Sequence, residues 1–492
     1  MGGERSTTAR LQGDLPVRSA ADVAADVEDD ATLLVSGFGS VGYPKAVPLA
    51  LADSGRDLAL TVVSGGSVGE EIDVALVEAD AIARRFPYQA RPPARAAVND
   101  GRIAFHDRDV STLGDEVQFG GLTGEGERVA VVEALAVGAD WLIPSTSIGQ
   151  TPAFVESADR LVVEVNETVP TELAAFHDVY RPGTPPNRDP IPLTDPGGRI
   201  GGERVTFDPE KLDAVVETDR RDQPYSFRDP TDDDRTIAAN LREFVEREVE
   251  RSPLFEESLR IQFGVGSLGN ALMGALGDTD LGDRDLIYFG EVIQDGLLDL
   301  LDEGELTAAS ATSLALSTEG QDRLFENAER YAEDVVLRPA DLSNSGALID
   351  RFGVVAVNSA LELDLFGHVN STHVDGTRAM NGVGGSGDFN RHSPLAVVAL
   401  PSTAAGGDIS RIVPMVPHVD HTEHDVDVVV TEQGVADLRG NAPRETARAL
   451  VEECAHPDYR DDLTDYLNRG RSRGGHIPHD IETALDWHAD RD

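Results

Sequence analysis

Cysteine, lysine and long apolar runs are all scarce in this chain of 492 residues. Cys454 is its only cysteine, which excludes an intrachain disulfide and a cysteine-built metal cluster. No run approaches the roughly 18 apolar residues that a membrane helix needs. The opening MGGERSTTARLQGDLPV lacks the apolar core of a secretory signal. A soluble, cytoplasmic protein is therefore expected. Lysine is reduced to Lys45 and Lys211, and all other basic side chains are arginine apart from histidine.

What is abundant is negative charge. There are 89 acidic against 42 basic residues, a formal net charge of -47. Such a surface repels nucleic acid and anionic membranes, so neither is an expected partner. It also repels itself, unless salt shortens the screening length to about 3 Å at 1 M. Acid excess without acidic low-complexity blocks reads as a folded protein adapted to high salt, as in a haloarchaeal source. The duller reading is an ordinary acidic enzyme.

Hydrophobic residues make up 40% and charged residues 27%, a globular composition. Short β-branched runs alternate with helix-sized amphipathic stretches. They are residues 31–37, 58–66, 140–146 and 160–166, then 259–266, 285–291, 353–361, 394–400 and 426–432. Apolar runs of that length, so separated, predict buried parallel strands in an α/β fold. The polar stretch ETDRRDQPYSFRDPTDDDRT (217–236) marks the boundary between two such domains, 1–225 and 226–492. A second irregular stretch, residues 179–205, carries six prolines. It is too long for an ordinary connection, and so is either functional or an exposed arm.

Both halves run a strand into a glycine turn and a helix: VSGFGSVGYPKAVPLAL and QFGVGSLGNALMGAL. In the second, Gly264, Gly266 and Gly269 satisfy G-x-G-x-x-G, and Glu291 ends the next predicted strand. Taken alone, that spacing suits a dinucleotide fold with an acid on the ribose, and so an NAD-dependent dehydrogenase. The same parts allow another chemistry. Backbone N–H groups exposed at glycine turns can hold a phosphate or an oxyanion, and a carboxylate beside them can act as a nucleophile. The bland reading makes Glu291 an acidic residue in the first turn of the helix VIQDGLLDLL. Gly382, Gly384, Gly385 and Gly387 form either a flexible loop or a close backbone approach to a ligand. His418, His421 and His424, with Asp420 and Glu423 between them, resemble a metal site, yet three-residue steps drift around a helix and need not converge.

At these residues the sequence resembles the acetyl-CoA hydrolase/transferase family, class I CoA-transferases that include succinyl-CoA:acetate CoA-transferase. The likeness runs through SGFGSVGYPKAVP (36–48), residues 85–107 and 143–167, HDVYRPGTPPNRDPIPL (177–193), YFGEVIQDG, LRPADLSNSG, NGVGGSGDF and residues 415–440. It implies two open, mostly parallel α/β domains with the active site in the cleft between them, and a nucleophilic Glu291. It also implies an oxyanion hole and CoA-binding loops at Val265, Gly266, Gly384 and Gly385, and polar contacts to the substrate carboxylate from Asn344 and Glu432. Lys45, in the motif GYPKAVP, is a candidate CoA contact or else an exposed lysine at a helix start. The implied substrates are acyl-CoA and short-chain carboxylates of the acetate, succinate and propionate class, with no metal and no other cofactor. An acetyl-CoA hydrolase would use the same parts. A homodimer is the default assembly.

Overall fold

The structure, a computed structural model, describes residues 9–89, 91–124, 126–223 and 228–489. The boundary expected after residue 225 lies outside them. The chain divides into two compact units. The first holds residues 1–226, 288–302 and 307–348, and the second holds 227–287, 303–306 and 349–492. The second half of the chain therefore does not pack as one body. Glu291 belongs with the first unit, not with the C-terminal one expected to carry it. The cause is visible in the backbone: Leu314 N–H donates to the Thr146 carbonyl at 2.9 Å, and Ile148 N–H donates to the Thr312 carbonyl at 2.9 Å.

The first unit is built on a nine-stranded sheet. Its strands are β1 (Thr32–Val35), β2 (Leu60–Ser64), β3 (Ile82–Phe86), β4 (Ala104–Phe105), β5 (Arg128–Val137), β6 (Trp141–Pro144), β7 (Arg160–Asn166), β8 (Val205–Thr206) and β9 (Leu212–Thr218). They run in the order β4-β3-β2-β1-β5, after which the sheet branches. At ten residues β5 is long enough to serve two further neighbours in succession. Val129 to Glu133 pair parallel with β7, and Ala134 to Val137 pair antiparallel with β6. Every residue of β1 and β2 is buried, as parallel strands covered on both faces require.

Strand β10 (Ser258–Phe263) opens the second unit's sheet, β11 (Asp285–Phe289) leads the chain back into the first unit, and β12 (Leu306–Ala311) pairs parallel with β13 (Val335–Leu337) there. In the second unit β10 pairs with β14 (Val355–Ser359), then come β15 (Leu395–Ala399) and β16 (Val428–Thr431), all parallel. A hairpin adds β17 (Gly434–Asp437) antiparallel to β16. The helix Asp232–Arg251 starts inside the polar stretch read as a boundary. Its start is a capping box: Asp234 N–H donates to Thr231 Oγ at 3.2 Å, and Thr231 N–H donates to the Asp234 carboxylate at 2.8 Å. Among the described residues no helix is long and apolar enough to cross a membrane.

Candidate active site

Glu291 follows the carboxyl end of β11, after one glycine. Gly290 is required there because the ring of Tyr288 folds back over it, and a side chain at 290 would collide with the Tyr288 hydroxyl. Burial, and then the charge of Glu291, push that hydroxyl above its ordinary range. The helix that follows begins only at Asp295, so Glu291 is not a first-turn helix residue. Its backbone is stitched to the end of β12 instead. Gly290 N–H donates to the Ser310 carbonyl at 2.9 Å, Thr312 N–H to the Glu291 carbonyl at 2.9 Å, and Ile293 N–H to the Ser313 carbonyl at 2.8 Å.

Glu291 is 9% exposed as a residue, and its carboxylate meets Asn344. Asn344 Nδ2 donates to Glu291 Oε1 at 2.9 Å. The structure thus brings together two of the expected site residues, 53 positions apart in sequence. The loop after β1 closes against the same place. Ser313 Oγ donates to the Phe38 carbonyl at 2.6 Å. Gly39, at φ +67°, lies where a Cβ would come within 3.1 Å of both Val292 and Ala315. Gly39 therefore serves close packing beside Glu291, while Gly37 and Gly42 make room for Tyr43 and Ser147.

Lys45 has another role. It is wholly buried, and its ammonium is paired with Glu133 and, at 2.8 Å, with Asp222; it also donates to the Tyr43 carbonyl at 2.8 Å. It is neither an exposed helix-start lysine nor open to a CoA phosphate. Burial alone would lower the Lys45 pKa, but Asp222 and Glu133 carry it above the ordinary lysine range. Glu133 is pushed up to about 7 by burial, against the pull of Lys45. Ser145 Oγ and Asn166 Nδ2 donate to Glu133 at 2.6 and 3.0 Å, and Thr146 Oγ1 donates to Asp222 at 2.6 Å. Glu164 accepts the N–H groups of Lys45, Ala46 and Val47 at 2.7 to 2.9 Å. Sequence reading missed these carboxylates. Their signal was there: Glu133 and Glu164 each interrupt an otherwise apolar run, in VAVVEALAV and RLVVEVN.

The second unit holds the other expected residues. Gly264 N–H donates to the Val357 carbonyl at 3.0 Å, so the loop leaves β10 alongside β14. Gly266 takes φ +142° just before the helix Ser267–Gly277, and Val265 is 42% exposed. Gly269 packs on the Gly264 carbonyl so closely that any side chain would strike it. Gly264–Gly269, Asn358, Ser359, Arg228 and Arg411 line a cavity of about 260 Å³. Burial lowers the Arg411 pKa without unseating its charge. Gly384, at φ +58°, and Gly385 precede the helix Ser386–His392. Glu432 sits at the tip of the β16–β17 hairpin and accepts from Ser402 N–H at 2.8 Å, from Ser402 Oγ, and from Gln433 Nε2 at 3.0 Å. Burial pushes its carboxyl up, but these donors together hold it below the usual range.

The histidines of HVDHTEHD diverge. His418 lies 3.1 Å from Asp420, His421 is buried 3.2 Å from Ser386 Oγ, and the His424 side chain is 82% exposed. Among the described residues no group of three or more His, Cys, Asp or Glu side chains is placed to hold a metal ion.

Comparison with known proteins bears on the chain as a whole. The model of the acetyl-CoA hydrolase/transferase N-terminal domain matches residues 14–217, and that of the C-terminal domain matches 320–467. A succinyl-CoA:acetate CoA-transferase of Clostridium kluyveri is 43% identical over 475 residues, 95% of this chain and 88% of that protein. An acetyl-CoA hydrolase of Eremothecium gossypii is 41% identical over 474 residues, 92% of this chain and 90% of the relative. Among solved structures, a 4-hydroxybutyrate CoA-transferase of Porphyromonas gingivalis shares the fold at a TM-score of 0.61 and 22% identity, with 92% of this chain and 97% of that one covered.

Proposed function

Because this chain belongs to the acetyl-CoA hydrolase/transferase family, we propose that it moves coenzyme A between short-chain carboxylic acids, with Glu291 as the nucleophile. The observation that carries this reading is a buried carboxylate on a rigid backbone, with one oxygen held by the Asn344 amide. A nucleophile held in one pose reaches its near-attack geometry at little further entropic cost.

In the proposed cycle one Glu291 oxygen attacks the thioester carbonyl of an acyl-CoA, and the C–S bond breaks. The products are an acyl-glutamyl anhydride and the CoA thiolate. The thiolate then attacks the glutamyl carbonyl, expels the first acid as its carboxylate, and leaves a glutamyl-CoA thioester. A second carboxylate runs these steps in reverse and departs as the new acyl-CoA. Only a carboxylate nucleophile can exchange acyl partners while keeping the energy-rich bond. We assign oxyanion stabilisation and CoA binding to the backbone around Val265, Gly266, Gly384 and Gly385, and contact with the substrate carboxylate to Asn344 and Glu432. The glycine turns, with Val265 out in solvent, support the first assignment. The Asn344 amide, already a donor to a carboxylate, supports its own part of the second, and that of Glu432 rests on the resemblance at TEQG. Family membership accounts for the G-x-G-x-x-G of residues 264–269 without a nicotinamide. Water in place of the second acid would give the hydrolase, the activity named for the Eremothecium relative. Transfer is favoured chemically because hydrolysis discards the thioester.

The test is to incubate the protein with acetyl-CoA in about 2 M KCl, a level that screens its charge, with and without succinate or propionate. A new acyl-CoA that appears only with the acceptor acid, and is lost in Glu291→Ala, is the expected result. Thiol release independent of acceptor would make the protein a hydrolase. Undiminished exchange in Glu291→Ala would overturn the assignment of Glu291.

A further inference from the structure

The proline-rich arm that the chemistry above leaves unused grips the segment carrying Asn344. Asp178 N–H donates to the Leu337 carbonyl at 2.8 Å where the arm begins. Where it ends, Arg199 Nη2 donates to the Ala332 and Val335 carbonyls at 3.0 and 3.1 Å. Between these points Arg338, wholly buried, pairs with Asp178 at 3.1 Å and donates to the Gly198 carbonyl. Asp178 in turn accepts Ile200 and Gly201 N–H at 2.8 and 2.6 Å, and Val179 and Gly202 exchange backbone hydrogen bonds, which closes the arm into a loop.

One side chain of this loop reaches past Arg338. Arg181 Nη1 donates to Asp341, and Arg181 Nη2 donates to Glu156 at 3.1 Å. Arg188 fastens the far side of the loop to both Asp115 oxygens at 2.7 and 2.9 Å. Asp341 lies in the helix Ala340–Ser343, whose C-cap is Asn344. A helix of four residues is a single turn and cannot hold its own orientation. What holds it is packing against the helix Val110–Gln118, where buried Ala340 meets Val110, the Ala340 N–H bond to the Gly149 carbonyl at 2.8 Å, and the Arg181–Asp341 ion pair. The Asp341 side chain is nearly closed to solvent, so this pair is screened far less than one on the surface.

We propose that the arm is a strap and Arg181 a positioning residue, which acts through Asp341 to set the Asn344 amide against the Glu291 carboxylate. The proposal rests on the reading of Glu291 as the nucleophile. Arg181 touches no reacting atom. Its removal leaves the single turn on its packing and one backbone bond, and the donor to Glu291 is then held less firmly in place.

The experiment is a mutant cycle in the CoA-exchange assay. Asn344→Ala removes one hydrogen bond to a charged group, and its kcat is expected to fall about 10- to 100-fold. Arg181→Met is expected to lower kcat about 10-fold with KM for the acyl-CoA held within a factor of about two, as for an interaction that matters at the chemical step. Arg181→Lys, which keeps one charged contact to Asp341, should restore part of the loss. The decisive variant is the double mutant Arg181→Met/Asn344→Ala, expected to be no slower than Asn344→Ala alone. Losses that multiply, or an Arg181→Met enzyme at the parent rate, would overturn the proposal. If Arg181→Met does not fold, Asp341→Leu removes the acceptor from the same contact and is held to the same comparison. Glu291→Ala is run alongside. Full activity there removes the reading of the site and the strap with it, whereas an inactive Glu291→Ala with multiplying losses sinks the strap alone.

Discussion

The surroundings of Glu291 in the first unit and the glycine loops of the second are built on opposite principles. In the first, side chains do the holding. Asn344 binds the carboxylate, Arg181 binds the helix that carries Asn344, and Lys45, Glu133 and Asp222 form a buried charged knot against Ser145 and Thr146. In the second, the loop backbone is tied down less, chiefly by the Gly264 N–H bond to Val357. Gly264 to Gly266 border a cavity, and Val265 stands largely in the open. A nucleophile gains from restraint, because each frozen torsion is one fewer to lose on the way to the transition state. A loop meant to receive a ligand gains from N–H groups with nothing in front of them, and glycine provides that. The contrast can be broken from either side.

The largest effect is expected at the knot. Lys45→Met leaves Glu133 and Asp222 buried without a counter-charge, and breaking a buried pair in this way costs about 3–5 kcal/mol. A fall in the thermal midpoint of the whole protein checks it. A loss below about 1 kcal/mol would mean that water or rearrangement relieves the two acids, and that the restraint in the first unit is overstated.

A smaller effect, of another kind, is expected in the second unit. Gly269→Ala drives a methyl group into the Gly264 carbonyl and must push the loop off its place at the start of the helix. The predicted outcome is a rise of about 10-fold in KM for the acyl-CoA, with kcat changed less, as for the loss of uniform binding. A variant with unchanged KM and a collapsed kcat would place the loop with the nucleophile rather than with the ligand.

The smallest effect at neutral pH, one that grows only in acid, separates the units by pH. In the first, burial holds His177 down at about 4, against 6.5 in a free side chain. Between those values the unfolded chain takes up a proton that the folded chain refuses. Stability from His177 is therefore complete above pH 6.5 and is lost as the pH falls toward 4, by at most about 1.4 kcal/mol per unit. His368 in the second unit is the reverse. Its bond to Asp364 and the nearby Glu423 outweigh partial burial and raise its pKa. Its contribution is present below the ordinary histidine value and is lost as the pH rises through the raised one. Denaturant titrations should show His177→Gln flattening the acid limb and His368→Gln weakening the protein mainly in acid. Equal losses at pH 5 and 9 would contradict both assignments.

How far the sequence revealed this contrast depends on how local the cause is. The nine predicted strands are all present, since continuous apolar runs need only their own residues to declare burial, although the run at 140–146, expected to be parallel, pairs antiparallel with both neighbours. The glycine turns of both units were equally legible. Glu291 and Asn344 were singled out through the motifs YFGEVIQDG and LRPADLSNSG, but their contact spans 53 residues and no local pattern carries it. The return of residues 288–302 and 307–348 to the first unit was hidden for the same reason, because it rests on backbone bonds between Thr146–Ile148 and Thr312–Leu314. Lys45 was misplaced on the surface because a lysine next to a helix start is usually solvated. Glu133 and Glu164, each alone in an apolar strand, were the warning that a buried cation must lie near. The six-proline arm was visible as an anomaly, but its grip on Asp341 spans 160 residues.

The most direct test of the account is to look for the covalent link itself. The protein is incubated with excess acyl-CoA, quenched in acid, digested, and read by mass spectrometry. The account predicts one CoA joined through its thiol to the peptide that holds Glu291, discharged by added acetate or succinate and absent from Glu291→Ala. A CoA adduct on another residue, or exchange that proceeds at full rate with no adduct on Glu291, would contradict it.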